Sequence, residues 1–141
     1  MQILEGAEPI RSAGVGERAD TAVLLVHGLT SSPQMVRPVA ERAAEQGYAV
    51  SAPLLPGHGT RWQDLATTRY ADWLRAVLAA AEELRAGHRT VVAFGVSLGG
   101  ALVTDIAGRR PELLDGLVLV NPAFAATDWR LKVIPRIKHL V

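Results

Sequence analysis

With 141 residues, 49% hydrophobic and 21% charged, the chain has the composition of one globular domain rather than of a disordered or fibrous segment. Its 15 Lys and Arg against 14 Asp and Glu leave a formal charge of +1, too weak a field to argue for nucleic acid or an anionic membrane as partner. Cysteine is absent, which excludes disulfides, thiolate nucleophiles and cysteine-based zinc sites, and a cytoplasmic protein is expected.

The N-terminal "MQILEGAEPIRSAG" has neither a basic nor an apolar leader region, and no apolar run approaches the ~18 residues that cross a bilayer, so membrane insertion is not expected. "GVGERA" (14–19) fits a dinucleotide-binding G-x-G-x-x-A, but no convincing strand precedes it and a strand, not a helix, is expected after it. "TAVLLVHG" (21–28) is a continuous apolar run ending in Gly, as a strand covered on both faces should be. In "LTSSPQMVRPVAERAAEQG" (29–47), Ser31 or Ser32 can cap a helix with Pro33 in its first turn. Val36, Val39, Ala40 and Ala43 form its apolar face and Gly47 ends it.

"YAVSAPLLPGHGT" (48–60) gives a short strand to about Ala52, then a loop whose prolines and glycines continue no regular structure. "TTRYADWLRAVLAAAEELRAG" (67–87) carries Tyr70, Trp73, Leu74, Val77, Leu78, Ala81 and Leu84 at helical spacing. "TVVAFGV" (90–96) is the next strand, followed by a helix from Leu98 to about Arg109 that Pro111 stops, and "LDGLVLVNPA" (114–123) is a further buried strand. Alternation of this kind predicts an α/β fold: a doubly wound, mostly parallel sheet with helices on both faces. Residues 1–123 read as the N-terminal part of that core. The segment 124–141, broken by Pro135, reads as the start of a cap that is cut off.

In such sheets chemistry gathers at the carboxyl ends of the strands. Gly95-Val96-Ser97-Leu98-Gly99 matches G-x-S-x-G on a strand-to-helix turn, where the two small residues let strand and helix approach and the turn holds the serine hydroxyl outward as a nucleophile. The alternative is a Gly-rich turn whose serine caps the helix. A nucleophile of this kind needs two donors for the oxyanion it creates. The N–H of Leu98, next after the serine, is one candidate, and the N–H of Leu29, freed by the turn at Gly28, is the other. A base is not found: His27 and His58 read as loop-fixing residues, His88 falls at the amino end of its strand, and His139 lies on the polar tail. Asp64, Asp72 and Asp128 pair with no histidine, no metal-binding spacing occurs, and no cofactor is called for.

Taken together, "LLVHGLTSSPQMVRPVAE", "LLPGHGT", "YADWLRAV" and "GVSLGGAL" resemble the α/β-hydrolase superfamily, and within it the bacterial carboxylesterase and monoacylglycerol lipase branch. The resemblance runs in order over nearly the whole chain. It implies a serine hydrolase acting on small-molecule carboxylic esters, with Ser97 as nucleophile and the Leu29 and Leu98 N–H groups as oxyanion hole. In that superfamily the triad acid and histidine follow the serine on loops after later strands, so neither is expected within these residues. An incomplete triad makes the 141-residue chain an expected inactive portion of an esterase. Alternatives are a non-catalytic α/β module that binds a partner through its open sheet edge, and acyl transfer or amide cleavage on the same scaffold.

Overall fold

The computed structural model describes residues 2–124, so the cap expected from 124 onward lies, beyond Phe124 itself, outside the described residues. Five strands form one sheet: β1 (Ile10–Ser12), β2 (Thr21–Val26), β3 (Ala49–Ala52), β4 (Thr90–Val96) and β5 (Gly116–Val120). Their spatial order is β1-β3-β2-β4-β5. Only β1 runs antiparallel to its neighbour, with Arg11 opposite Ser51. The helices are α1 (Arg37–Glu45), α2 (Trp62–Ala66), α3 (Tyr70–Gly87) and α4 (Leu98–Arg109).

The expected α/β architecture is present, with two elements that the sequence pattern does not announce. β1 is only three residues long and has no period of its own, and it exists because β3 offers it an edge. It precedes "GVGERA", contrary to expectation. Yet the next element is a 3-10 turn over Gly16–Asp20 that leads into β2, so the dinucleotide pattern still lacks its helix. The five-residue α2 directly follows the irregular, glycine- and proline-rich loop after β3.

Helix starts follow local chemistry. Ser32 caps a short 3-10 turn, its Oγ accepting from the Gln34 N–H at 3.4 Å, with Pro33 in the first position. α1 proper begins only at Arg37. Val39, placed on the apolar face by periodicity, is 40% exposed, and Ala44 packs in its stead. α3 starts at Tyr70, later than expected, where the Arg69 N–H donates to the Asp72 carboxylate at 3.0 Å.

The sheet separates two apolar clusters. α3 and α4 cover one face, burying Leu24, Val26, Val91, Ala93, Leu102 and Ile106, while α1 covers the other over Leu25, Val50 and Ala52. β2 and β4 are therefore sandwiched, and their side chains define the core. β5 is pegged at its start by Asp115. Its N–H donates to the Val91 carbonyl, and its carboxylate accepts from the Val91 N–H and from the Arg85 guanidinium, the latter at 2.5 Å. Beyond that peg, Leu117, Val118, Leu119 and Val120 are 36–47% exposed, the expected buried strand being an edge with half-open faces among the described residues. None of the described helices is long and apolar enough to cross a membrane.

A contrast between these two environments is measurable by urea denaturation of the 141-residue chain. Leu102→Ala, in the dry interface of α4 with the sheet, is expected to cost about 2–5 kcal/mol. Val118→Lys, on half-exposed β5, is expected to stay within about 0.5 kcal/mol of the parent.

Candidate functional site

α4 begins where β4 ends, with one residue, Ser97, between them. Its backbone stands at φ 52°, ψ −115°, a left-handed conformation that costs a side-chain-bearing residue about 1–3 kcal/mol and persists only when its surroundings enforce it. Enforcement comes from two sides. The Ser97 N–H donates to the Val120 carbonyl at 2.9 Å, and its own carbonyl accepts from Ala123 at 3.0 Å and Ala101 at 3.2 Å, so the residue is clamped between β5 and the first turn of α4. The glycines do the rest. A Cβ on Gly95 would sit 2.6 Å from the Gly100 backbone, and one on Gly99 would run into the Val26 carbonyl at the end of β2. Neither tolerates a side chain.

The Ser97 hydroxyl makes no capping bond to α4, which removes the reading of this residue as an ordinary helix cap. The Leu98 N–H, at the first position of α4, has no acceptor among the described residues, and the helix dipole adds positive potential there. Across from it lies the loop after β2. A Cβ on Gly28 would be 3.5 Å from the Ser97 Cβ, ordinary van der Waals contact, which places this loop directly beside the serine. The Leu29 N–H that follows also has no acceptor among the described residues. Residues 28–29 and 97–98, about 70 positions apart in sequence, thus meet at the carboxyl edge of the sheet. Thr30, Ser97 and Asn121 are the three non-glycine residues with positive φ among those described, and each follows the end of a different parallel strand.

His27 fixes the Gly28 loop from beneath. The ring is fully buried; its Nδ1–H donates to the Gly28 carbonyl at 2.9 Å and its Nε2 accepts the Leu55 N–H at 3.2 Å, so one tautomer serves both. His58 stands edge-on to it at 5.1 Å, donates Nδ1–H to Pro56 at 3.1 Å, and meets Trp73 edge-on at 5.4 Å. Trp73 in turn donates to the same Pro56 carbonyl at 3.0 Å. The loop-fixing role expected of His27 and His58 is what this column of rings performs. What sequence reading missed is that Trp73, assigned to an apolar helix face, closes the column; the signal available was an indole needing an acceptor beside a proline-rich loop.

Burial pushes the His27 pKa down to about 4, and burial lowers that of His58 as well. Neither ring offers a base to Ser97: His27 has both nitrogens engaged, and the free nitrogen of His58 is sealed from solvent. His88 donates to Leu84 at the amino end of β4, on the far side of the sheet, and His139 lies outside the described residues. No triad acid or base is therefore brought to Ser97 among the described residues.

The family described as serine aminopeptidase, S33 (Hydrolase_4) matches residues 17–141. A thermostable monoacylglycerol lipase of Bacillus sp. (strain H-257) is 38% identical over 121 residues, which are 86% of this chain and 46% of that protein. A carboxylesterase of Bacillus subtilis (strain 168) is 39% identical over 82 residues, 57% of this chain and 33% of that protein. Among solved structures, one from the metagenome-derived lipolytic enzymes LipS and LipT superposes with a TM-score of 0.88 at 37% identity, covering 94% of this chain and 53% of its own. The chain spans about half the length, or less, of these relatives.

Because the buried His27 binds a proton less readily folded (pKa about 4) than unfolded (about 6.5), the unfolded state takes up more protons in that window. Stability is expected to fall as pH drops from 6.5 to 4, by about 3 kcal/mol from His27. Urea midpoints taken across this range should follow that slope in the parent and a shallower one in His27→Gln.

Proposed function

We propose, because the chain belongs to the serine aminopeptidase S33 (Hydrolase_4) family, that Ser97 is the nucleophile of a serine hydrolase that cleaves small-molecule carboxylic esters through an acyl-enzyme in the intact protein. The observation that carries this reading is the backbone of Ser97: a strained serine at φ 52°, joining β4 to α4 and clamped between β5 and α4, with a hydroxyl that is not spent on capping the helix. Strain of that kind is retained where it presents a reacting group.

In this reading the Ser97 Oγ attacks the ester carbonyl carbon while a base takes its proton. The carbonyl oxygen becomes an oxyanion that accepts from the Leu29 and Leu98 N–H groups. Collapse expels the alcohol, which takes back the proton, and water then releases the acid by the reverse sequence. His27 is a positioning residue here. A trans peptide holds its C=O and N–H antiparallel, so pinning the Gly28 carbonyl inward turns the N–H of Leu29 outward. The proton acceptor and its acid partner follow the serine in chain order in such enzymes, and we assign them to the part of the relatives' length that these residues do not span. The 141-residue chain by itself is then an inactive portion. The family description names a peptidase, and the same turn can attack an amide; the two bacterial relatives are named as ester hydrolases, which favours the ester.

The test uses a polypeptide that continues through the strands its relatives carry beyond this point. It should hydrolyse a short acyl nitrophenyl ester, and Ser97→Ala should lower turnover by about 10⁶-fold. Leu29→Pro, which deletes one proposed donor, should lower it by about 10²–10³-fold. The 141-residue chain should give no more hydrolysis than its own Ser97→Ala variant; rapid turnover abolished by that substitution would show the base to lie within these residues after all.

A further inference from the structure

The chain contains two sulfur atoms, those of Met1 and Met35, and no cysteine. Met35 lies in the 3-10 turn Pro33–Val36, just after the loop that carries Leu29, and its N–H donates to the Ser32 carbonyl at 3.0 Å. Val36, next to it, is fully buried, whereas Met35 is 48% exposed and lines an open cleft of about 470 Å³ with Thr30, Ser31 and Gln34. A small dissolved molecule can therefore meet this side chain without any part of the fold opening.

Its thioether also reaches the site around Ser97. The point at which a Cβ on Gly28 would stand is 3.9 Å from Met35 Cε and 3.5 Å from the Ser97 Cβ, so thioether and serine approach the same point of the loop. The next donor along the chain from that point is the Leu29 N–H, which has no acceptor among the described residues. Sγ is bonded directly to Cε, and the rotatable bonds of an unbranched side chain let it swing toward that donor. A thioether sulfur is a weak acceptor and leaves the donor open. Oxidation changes that, because a sulfoxide turns the same side chain polar and puts an accepting oxygen on the sulfur.

We propose that Met35 is an oxidation site through which a hydroperoxide switches off the strand-end serine: its sulfoxide oxygen accepts from the Leu29 N–H and so occupies a donor that the oxyanion needs. In the oxidation a lone pair of Sγ attacks one peroxide oxygen, and the S–O bond forms as the O–O bond breaks. The departing hydroxide or alkoxide takes up the proton of the transferred hydroxyl, which leaves the sulfoxide and water or an alcohol. Sulfur gives up two electrons and the peroxide gains them, so no further redox partner is needed. Enzymatic reduction of the sulfoxide returns the thioether and makes the switch reversible. The loss of turnover rests on the Ser97 reading above; the oxidation and the new hydrogen bond do not.

Treatment of the ¹⁵N-labelled 141-residue chain with hydrogen peroxide tests it, with peptide mapping to follow oxygen addition and amide spectra to follow the fold. Met35 is expected to oxidise at a rate comparable to that of a free methionine peptide in the same solution. The Leu29 amide proton should then move downfield and exchange more slowly with solvent, both changes being reversed by the two methionine sulfoxide reductases, one for each epimer. Met35→Leu should show neither change at Leu29. In the longer polypeptide the same treatment should lower ester turnover by about tenfold, the worth of one hydrogen bond that the oxyanion must displace. That loss is expected in the parent and not in Met35→Leu, each compared with its own untreated sample. Oxidation of Met35 only after unfolding, a Leu29 amide that ignores the sulfoxide, or equal losses of turnover in parent and Met35→Leu would overturn the proposal. The amide response involves no turnover, so it can succeed while Ser97→Ala shows the catalytic reading to be wrong, and an active serine beside an unresponsive Leu29 would sink the switch alone.

Discussion

The first turn of α4 lies so near the ends of β2 and β4 that no side chain fits between them, and the most distinctive features of this chain stem from that contact. Gly95 and Gly99 make it possible, each at a point where a single added carbon would meet backbone. Once α4 is seated there, the residue joining it to β4 has no ordinary conformation open to it, and Ser97 is forced to positive φ. Such strain is offset by the cooperative burial of Leu102, Val103 and Ile106 beneath α4, together with the backbone hydrogen bonds that clamp Ser97.

The same seating brings the loop after β2 into reach. Gly28 lies against Ser97 on one side and is held by His27 on the other, and His27 is itself fixed by the chain that leaves β3 and by the rings of His58 and Trp73. Parallel strands β3, β2 and β4 thus deliver three loops to one edge, and a buried, neutral imidazole locks two of them together. A neutral ring is what the arrangement requires, since Nε2 must accept from Leu55, and burial, which lowers the pKa of the ring, keeps it neutral. For the proposed chemistry, the consequence is a donor at Leu29 whose direction is set before any substrate arrives.

Much of this is legible in the sequence, and the reasons are physical. The runs at 21–28 and 90–96 read as strands because a strand covered on both faces must be apolar throughout, and the turn at 95–99 reads as an elbow because close approach leaves only glycine. β1 is not legible: three residues, one of them Arg11, carry no pattern, and their pairing is decided by an edge some 40 residues away. α2 is hidden by its length and by the prolines and glycines before it. The ring column is likewise assembled from segments distant in sequence, and periodicity, which reports one element at a time, contains no term for it. β5 misleads in the opposite direction, since its apolar run reflects what a strand is built to meet and not what covers it among residues 2–124.

The central claim is that Ser97 is a presented nucleophile. The most direct measurement is peptide mapping by mass spectrometry after an aryl alkylphosphonate is allowed to react with a polypeptide that extends through the later strands of its relatives. Such a reagent transfers its phosphoryl group to an activated serine and traps it. The expected result is one adduct, on the peptide carrying Ser97, absent when the protein is unfolded first. An adduct on another residue of the folded protein, with Ser97 untouched, would contradict the claim.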